Sequence, residues 1–548
     1  MRNINLRYAK ETYKESGMLD TYKLDYPESF NFGYDVVDDI ALNDPNRRAM
    51  VWCNPQGEEK LFTFADMKKM SDKTANYFKS LGIEKGDMVM VVLKRHYEFW
   101  YTAVALHKLG AVLIPATFML KTHDTEYRLN AAGVKAVVVT SECGVPEAVD
   151  ECEKNCPTLK TKIIVRGERE GWSCFDTGIE NADESFERVE TNILEPMIMY
   201  FSSGTSGYPK MVLHDHTYAL AHLFTAKHWH NVTPDGLHFT VADTGWGKAV
   251  WGKLYGQWLM EAGVFTYDFD KFVPSEILSL MEKYKVTTFC VPPTMYRLML
   301  REDVTKYDLS NLSYCTTAGE AMPPEVFKAW YKATGIEIME GFGQTETTVA
   351  LCNIPGMKPK PGSLGKPSPQ YRVTLMDADG DPCPAGVTGE IVISMKYERP
   401  DGLLNCYYLN GEKTAEVMRS GWYHTGDTAW MDEDGYYWFV GRNDDIIKSS
   451  GYRIGPFEIE SVLIEHPAVS ECAVTGVPDE TRGQLVKATI VLMQGFEASE
   501  ELKAELQAFV KKRTAPYKYP RLIDFVPELP KTVNGKVRRV EIRQNDEK

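Results

Sequence analysis

The 548-residue chain carries 62 Lys plus Arg against 77 Asp plus Glu, a formal charge of −15, with 43% hydrophobic and 25% charged residues. Those proportions exclude a disordered or fibrous chain and give length for several folding units around large cores. The acidic balance argues against nucleic acid or an anionic membrane surface as the main partner, and no apolar run is long enough to span a bilayer.

The amino terminus, MRNINLRYAKETYKESG, is polar and has no apolar stretch that would serve as a signal peptide. The 11 cysteines are odd in number, scattered and free of any C-x-x-C pair, as expected of free thiols in a reducing compartment. A cytoplasmic protein is the expectation.

MVMVVL (88–93) reads as a buried strand, followed by the helix-like YEFWYTAVALHKLG and then VLIPA. AVVVT (136–140), KIIVR (162–166), TTFCVPP (287–293) and IEIME (336–340) are further strands between helical stretches. This alternation predicts parallel sheets covered by helices, an α/β architecture. Near residue 370, YRVTLMDADGDPCPAGVTGEIVIS changes to period-2 alternation with Gly/Pro turns, which predicts a small antiparallel unit. A last mixed segment follows GRNDD (441–445), so a domain boundary is expected near Asp444.

The chemistry-bearing segment is MIMYFSSGTSGYPKMVLH (197–214), in which a strand runs into Ser202-Ser203-Gly204-Thr205-Ser206-Gly207-Tyr208-Pro209-Lys210. Glycines let the backbone turn and present N–H groups, hydroxyls add donors, and the lysine adds charge, a combination suited to a polyphosphate. It is not a Walker A loop, because Gly204 and Gly207 are too close and Pro209 separates glycine from lysine. The plain alternative is a solvated Ser/Gly hairpin.

GFGQTET (341–347), YHTGD (423–427), GRNDDIIKSSGYRIGP (441–456) and PKTVNGKVRR (530–539) follow in order. With the Ser/Gly loop, these five segments resemble the adenylate-forming superfamily of acyl-CoA synthetases, luciferases and peptide-synthetase adenylation domains. In texture the chain is most similar to the medium-chain acyl-CoA synthetase branch, through SSGYRIGP, TAPYKYPR and the PKTVNGK tail. The resemblance implies a large amino-terminal domain (1–443) of stacked αβ sheets plus a small β-barrel-like unit. A small mobile α+β carboxy-terminal domain (444–548) would follow, rotating about a hinge near Asp444.

The resemblance also distributes roles. ATP would be held by Ser202, Ser203, Gly204, Thr205, Ser206 and Lys210, and by Gly319, Glu320 and Ala321 of AGEAM (318–322) along the adenine and ribose. Glu340, Gly341, Phe342, Gln344 and Thr345 would complete the nucleotide site, with Thr345 on the α-phosphate and Glu346 on Mg²⁺. Asp427 would take the ribose hydroxyls, Arg442 a second ribose contact and Arg453 a phosphate. Lys536 would bridge the acid's carboxylate and the α-phosphate, neutralising charge that builds in the transition state. Without the resemblance, these residues read as capped helix starts, turn aspartates and a solvated basic tail.

For the acyl pocket the resemblance points to Trp246, Gly247, Lys248, Val250, Trp251 and Gly343. Trp246 corresponds to a tryptophan near the carboxylate and thioester path. Acetate-specific relatives carry tryptophan where this chain has Gly343, so the glycine is expected to leave space for a longer or branched acyl chain. Lys248 is unexpected beside an apolar pocket. CoA, the implied acceptor, would meet Ser450, Gly451 and Tyr452 and the basic side chains Arg482, Arg513 and Arg521. A surface ion pair is the plain alternative for each arginine.

The expected activity is thus an AMP-forming acyl-CoA synthetase acting on a medium- or branched-chain acid with ATP, Mg²⁺ and CoA. An aryl-CoA ligase for benzoate-like acids and a silent adenylate-binding protein are the alternatives. Six histidines (214, 216, 222, 228, 230 and 238) crowd one stretch, but the pattern lacks a supporting cysteine or acid for zinc. They are expected to pack around the segment after the phosphate loop. His424 has two readings, one facing the ligand and the plainer one a packed histidine. Residues 510–548 carry 11 basic and 5 acidic side chains, a local excess suited to polyanionic ligands in an acidic chain.

Overall fold

The computed structural model describes residues 3–202, 209–320, 322–450, 452–531 and 537–546, with the side chain of Arg453 left out. Two large sheets form most of the chain. The first has eight strands in the spatial order Cys406–Tyr407, Lys210–Asp215, Pro196–Ser202, Val112–Pro115, Met88–Val92, Ala136–Thr140, Thr161–Val165 and Ser173–Cys174. From Pro196–Ser202 onward its pairings are parallel, and the two strands at the other edge are antiparallel. Every residue of Ala136–Thr140 is buried, which is why this strand reads as a continuous Val run: a parallel sheet covered on both faces has no polar side.

The second sheet has nine strands, with Ile338–Phe342, Tyr314–Thr317, Thr288–Cys290, Leu237–Thr240, Gly263–Tyr267 and Arg48–Cys53 running parallel at its centre. The helix Glu98–Leu109 is buried at every position, and Gly110 ends it in the left-handed region at φ 71°, where a side chain is strained. The helix Phe64–Ser80 starts on a capping box between Thr63 and Asp66.

The texture change near residue 370 corresponds to a five-stranded antiparallel sheet built on Val373–Met376, Gly389–Ser394, Trp422–Met431, Met418–Arg419 and Tyr437–Arg442. A fourth sheet follows, with Tyr452–Ile454, Ile447–Ser449, Gly483–Leu492, Val469–Asp479 and Leu522–Phe525. Its helices Pro456–Ile464 and Glu500–Arg513 cover a separate core that includes Ile459, Leu463, Leu506 and Val510. The chain is therefore α/β, with a large amino-terminal part and a small α+β carboxy-terminal part.

Candidate active site

Strands Pro196–Ser202 and Lys210–Asp215 form a hairpin in which Ser202 lies opposite Lys210. Ser203, Gly204, Thr205 and Ser206, predicted to hold phosphates, lie outside the described residues. Lys210 is half-buried with its ammonium 5.3 Å from the Tyr407 ring. Burial pulls its pKa below the ordinary value, and the nearby Glu346 charge opposes that.

GFGQTET leaves the carboxyl end of the strand Ile338–Phe342, where open α/β sheets bind ligands. Gln344 ties this segment to the antiparallel sheet. Its Nε2 donates to the Thr425 carbonyl at 2.8 Å and to Asp427 Oδ2 at 2.5 Å, and its Oε1 accepts from the Tyr423 hydroxyl at 2.7 Å. The Thr345 carbonyl accepts from His214 Nε2 at 2.8 Å. Burial holds His214 down at about 4, so at neutral pH the ring is uncharged and its one proton is the one donated to Thr345. Glu346 Oε1 accepts from the Tyr407 hydroxyl at 2.8 Å.

Asp427 is 5% exposed and faces Arg442 across paired strands, with Oδ1 3.6 Å from Nη1. Burial works against the Arg442 charge, but Asp427, Asp444 and Glu346 outweigh it and raise its pKa. Gly426, inside the strand Trp422–Met431, sits at φ 73°, and a Cβ there would lie 3.1 Å from Arg442 Nη2. The sequence brings Thr345, Glu346, Asp427, Arg442 and Lys210 together from four separate segments.

In the middle of the strand Ile338–Phe342, Glu340 is buried. Its Oε1 accepts from the Met322 N–H at 3.1 Å, and Oε2 has no hydrogen-bond partner among the described residues. Burial pushes this carboxyl up to about 8, so it is neutral at pH 7. Gly341 lets the Trp229 indole approach the backbone, since a Cβ would meet the ring at 2.6 Å. Phe342 is half-buried. Gly319 sits at φ 98° with open space above it, Glu320 is exposed and accepts from Thr294 Oγ1 at 2.9 Å, and Ala321 lies outside the described residues.

The acyl-pocket expectation needs correction at Gly343. The space beside Gly343 is filled: a Cβ there would lie 2.4 Å from the Trp251 ring and 2.4 Å from the Thr348 carbonyl oxygen. Gly343 therefore admits Trp251 rather than extra acyl chain, and Trp251 supplies an indole from the facing helix, Gly247–Lys253. Lys248 is half-buried, and its Nζ donates to the Ala318 carbonyl at 2.6 Å, bracing the segment before Gly319. Val250 is buried in the main core, whereas Trp246 and Gly247 line a small cavity with Tyr200 and Thr345.

In the carboxy-terminal part, Ser450 and Arg482 meet: Ser450 N–H donates to the Arg482 carbonyl at 2.8 Å, and Arg482 Nη1 to Ser450 Oγ at 3.2 Å. Tyr452 is exposed and stacks on Tyr517 at 4.0 Å. Arg513 lies over the Phe509 ring with Nε 3.5 Å from Glu465, and Arg521 donates to the Tyr519 hydroxyl, so both have partners on their own face of the small part. Asp444 lies 3.6 Å from Arg442 Nε, while its neighbour Asp445 is buried against Arg543 at 2.8 Å and Arg539 at 3.5 Å. Gly451, Lys536 and the Arg453 side chain lie outside the described residues.

The histidine-rich stretch packs, as expected. His238 bridges Thr288 and Thr240, His230 meets Thr316, and His228 meets Glu11 at 2.9 Å. Burial raises Glu11, but hydrogen bonds from His228 and Lys227 outweigh it and hold the carboxyl at about 2. His424 pairs with Glu390 at 3.0 Å. No group of three or more His, Cys, Asp or Glu that would hold a metal occurs among the described residues. No helix among them is long and apolar enough to cross a membrane.

Sequence reasoning missed Tyr407, took His214 only as one of six packing histidines and left Tyr423 without a role at the head of YHTGD. Each acquires its place only through contact with GFGQTET.

Fold and site together define an acid–thiol ligase that works through an adenylate. Residues 37–408 match the AMP-binding enzyme family and residues 458–536 the AMP-binding enzyme C-terminal domain. The chain belongs to the AMP-binding enzyme family. It is 42% identical over 539 residues to acyl-coenzyme A synthetase ACSM3, mitochondrial, of Homo sapiens, covering 96% of this chain and 92% of the relative. Acyl-coenzyme A synthetase ACSM5, mitochondrial, of Homo sapiens is 42% identical over 530 residues, covering 95% and 91%. Among solved structures, the anthranilate CoA ligase AuaEII in complex with anthranoyl-AMP superposes with a TM-score of 0.87 at 31% identity, covering 95% of this chain and 98% of that one. A benzoate CoA ligase from Burkholderia xenovorans LB400 gives 0.81 at 26% identity, covering 94% and 100%.

These relatives overturn the expectation of a cytoplasmic protein, because their names place them in mitochondria. Scattered free cysteines fit any reducing compartment, an organelle included.

Proposed function

We propose that the enzyme activates a medium- or branched-chain carboxylic acid with ATP and transfers the acyl group to CoA. The observation that carries this reading is the Gln344 tie, which holds Thr345 and Glu346 of one sheet against Asp427 and Arg442 of another, beside Lys210. An acidic ribose clamp, a hydroxyl and a lysine-bearing loop at one sheet edge are the parts that adenylate formation requires.

In the first half-reaction the acid's carboxylate attacks the α-phosphate and pyrophosphate leaves, with Thr345 and the loop residues 202–206 on the phosphates. Asp427 takes the ribose hydroxyls, and Arg442 orients that carboxylate. Lys536 neutralises charge between the approaching anions. Glu346 has only Oε1 engaged by Tyr407 among the described residues, so its other oxygen fits a hard cation; Mg²⁺ there would offset phosphate charge. In the second half-reaction the CoA thiol displaces AMP and the thioester forms. The small domain (444–548) rotates about Asp444 between the two, withdrawing Lys536 and presenting the Ser450–Tyr452 loop.

A second reading, an aryl acid as substrate, is favoured by the anthranilate and benzoate CoA ligases among the structural relatives. A panel of aliphatic and aromatic acids assayed for CoA-dependent AMP release tests both. AMP release with aliphatic acids supports the first reading, release with aromatic acids alone supports the second, and none with any acid contradicts the enzyme assignment.

A further inference from the structure

The helix Thr122–Ala131 touches the phosphate-loop hairpin at both ends. The Tyr127 hydroxyl donates to the Pro209 carbonyl at 3.2 Å, one residue before Lys210. The Arg128 guanidinium lies over the Phe201 ring, 5.2 Å from its centroid, one residue before Ser202. Arg128 is 8% exposed, yet the protein uses little of it. Nη1 donates to the Asp124 carbonyl one turn back at 3.0 Å, and the Asp124 carboxylate, 3.8 Å away, is 40% exposed. Nε and Nη2 have no partner among the described residues. Burial pulls the guanidinium below its ordinary value, and no buried carboxylate offsets it.

A buried arginine is ordinarily paired, because its charge has lost water and needs compensation. Arg128 instead forms part of the wall of a cavity between the two large sheets, with Thr117, Tyr200, Trp246, Gly247 and Thr345. Trp246 adds a second unmet donor, since its Nε1 is buried without a partner. Two unsatisfied donors beside Thr345 form a site for oxygen acceptors. A desolvated guanidinium gains more from an anionic oxygen than from a neutral amide carbonyl, which favours the reactants of acyl activation over the pantetheine arm of CoA.

We propose that Arg128 is a substrate-binding residue of the first half-reaction, its free nitrogens taking an anionic oxygen from the acid's carboxylate or the ATP phosphates, with Trp246 Nε1 as a second donor. The proposal rests on the adenylation reading given above. The acid and ATP share this chemistry, and the kinetics separate them: a rise in KM confined to the acid assigns the carboxylate, and one confined to ATP assigns the phosphates.

The test uses the full chain with Arg128→Gln and Arg128→Lys, and two assays: acid-dependent ATP–pyrophosphate exchange, and thioester formation from supplied acyl-adenylate and CoA. Losing a charged hydrogen bond predicts a fall of about tenfold or more in kcat/KM for exchange with Gln, and a smaller fall with Lys. Thioester formation should stay within about twofold, because that step makes no use of the interaction. Arg128→Gly should regain exchange when guanidinium is added. Unchanged exchange would overturn the proposal, as would a loss confined to the CoA step, or equal loss in both steps from a variant with wild-type melting. If Gln does not fold, the Lys variant decides on the same outcomes. A wild-type chain that exchanges with no acid removes the adenylation reading itself. A wild type that exchanges while Arg128→Gln exchanges equally well removes this proposal alone.

Discussion

Asp427 and Arg442 are directly opposed across the strands Trp422–Met431 and Tyr437–Arg442, with a carboxylate oxygen 3.6 Å from a guanidinium nitrogen. The pair is held from the side as well, because Gln344 Nε2 reaches Asp427 Oδ2. Arg442 in turn lies 3.6 Å from Asp444, so one arginine links the proposed nucleotide clamp to the proposed hinge.

That linkage makes Asp427→Ala an expected binding variant. Loss of a charge-assisted contact to the ribose predicts a rise in the KM for ATP of about tenfold or more, with the KM for CoA unchanged. Steady-state kinetics with each substrate varied in turn checks this. An unchanged KM for ATP would remove Asp427 from the nucleotide site.

The hinge is expected to lie between Asp444 and Asp445, since Asp444 faces Arg442 of the large part whereas Asp445 is anchored to Arg543 and Arg539 of the small part. Asp444→Pro fixes the backbone at that position. Adenylate formation should survive and thioester formation should fall sharply. Single-turnover assays of each half-reaction measure the split, and equal effects on both would place the hinge elsewhere.

Gly343→Ala should destabilise the fold by about 1–3 kcal/mol, the usual range for overpacking, because the new Cβ meets backbone at the Thr348 carbonyl as well as the Trp251 ring. Trp251→Leu removes the indole that fills the same space and should move acid preference toward longer chains. A chain-length profile identical to wild type would show that Trp251 does not bound the acyl pocket.

Glu340 gives a pH dependence. Its folded pKa of about 8 exceeds its ordinary 4.5, so the native state keeps a proton that the unfolded chain releases. Stability therefore falls as pH rises from about 4.5 to about 8 and levels off above that. Glu340→Gln mimics the neutral acid and should flatten this part of the curve. Melting temperatures of both proteins from pH 5 to 8 decide it, and parallel curves would contradict a neutral Glu340.

The fold was legible where local pattern and burial agree. Ala136–Thr140 spans the same residues as the Val run, and Gly110 stops the helix Glu98–Leu109 where a left-handed residue is required. TTFCVPP was read too long: only Thr288–Cys290 pairs, because Pro292 and Pro293 cannot continue the ladder. The segments of the candidate site could be picked out because each keeps its Gly, hydroxyl and charged residues contiguous in sequence. Their supports were not. His214 reaches Thr345 across 131 positions and Tyr407 reaches Glu346 across 61, so neither signal exists until the sheets assemble. Gly343 was misjudged for the same reason, since what occupies the space over a glycine belongs to a distant helix. Arg128 was not singled out, because the cavity beside Phe201 that it lines exists only once the sheets assemble.

The central claim, two half-reactions served by different faces of the small domain, is tested most directly with Lys536→Ala. Acid-dependent pyrophosphate exchange and thioester formation from supplied acyl-adenylate are measured on the same folded preparation. Loss of exchange with thioester formation retained is the predicted result. Equal loss of both would contradict the account.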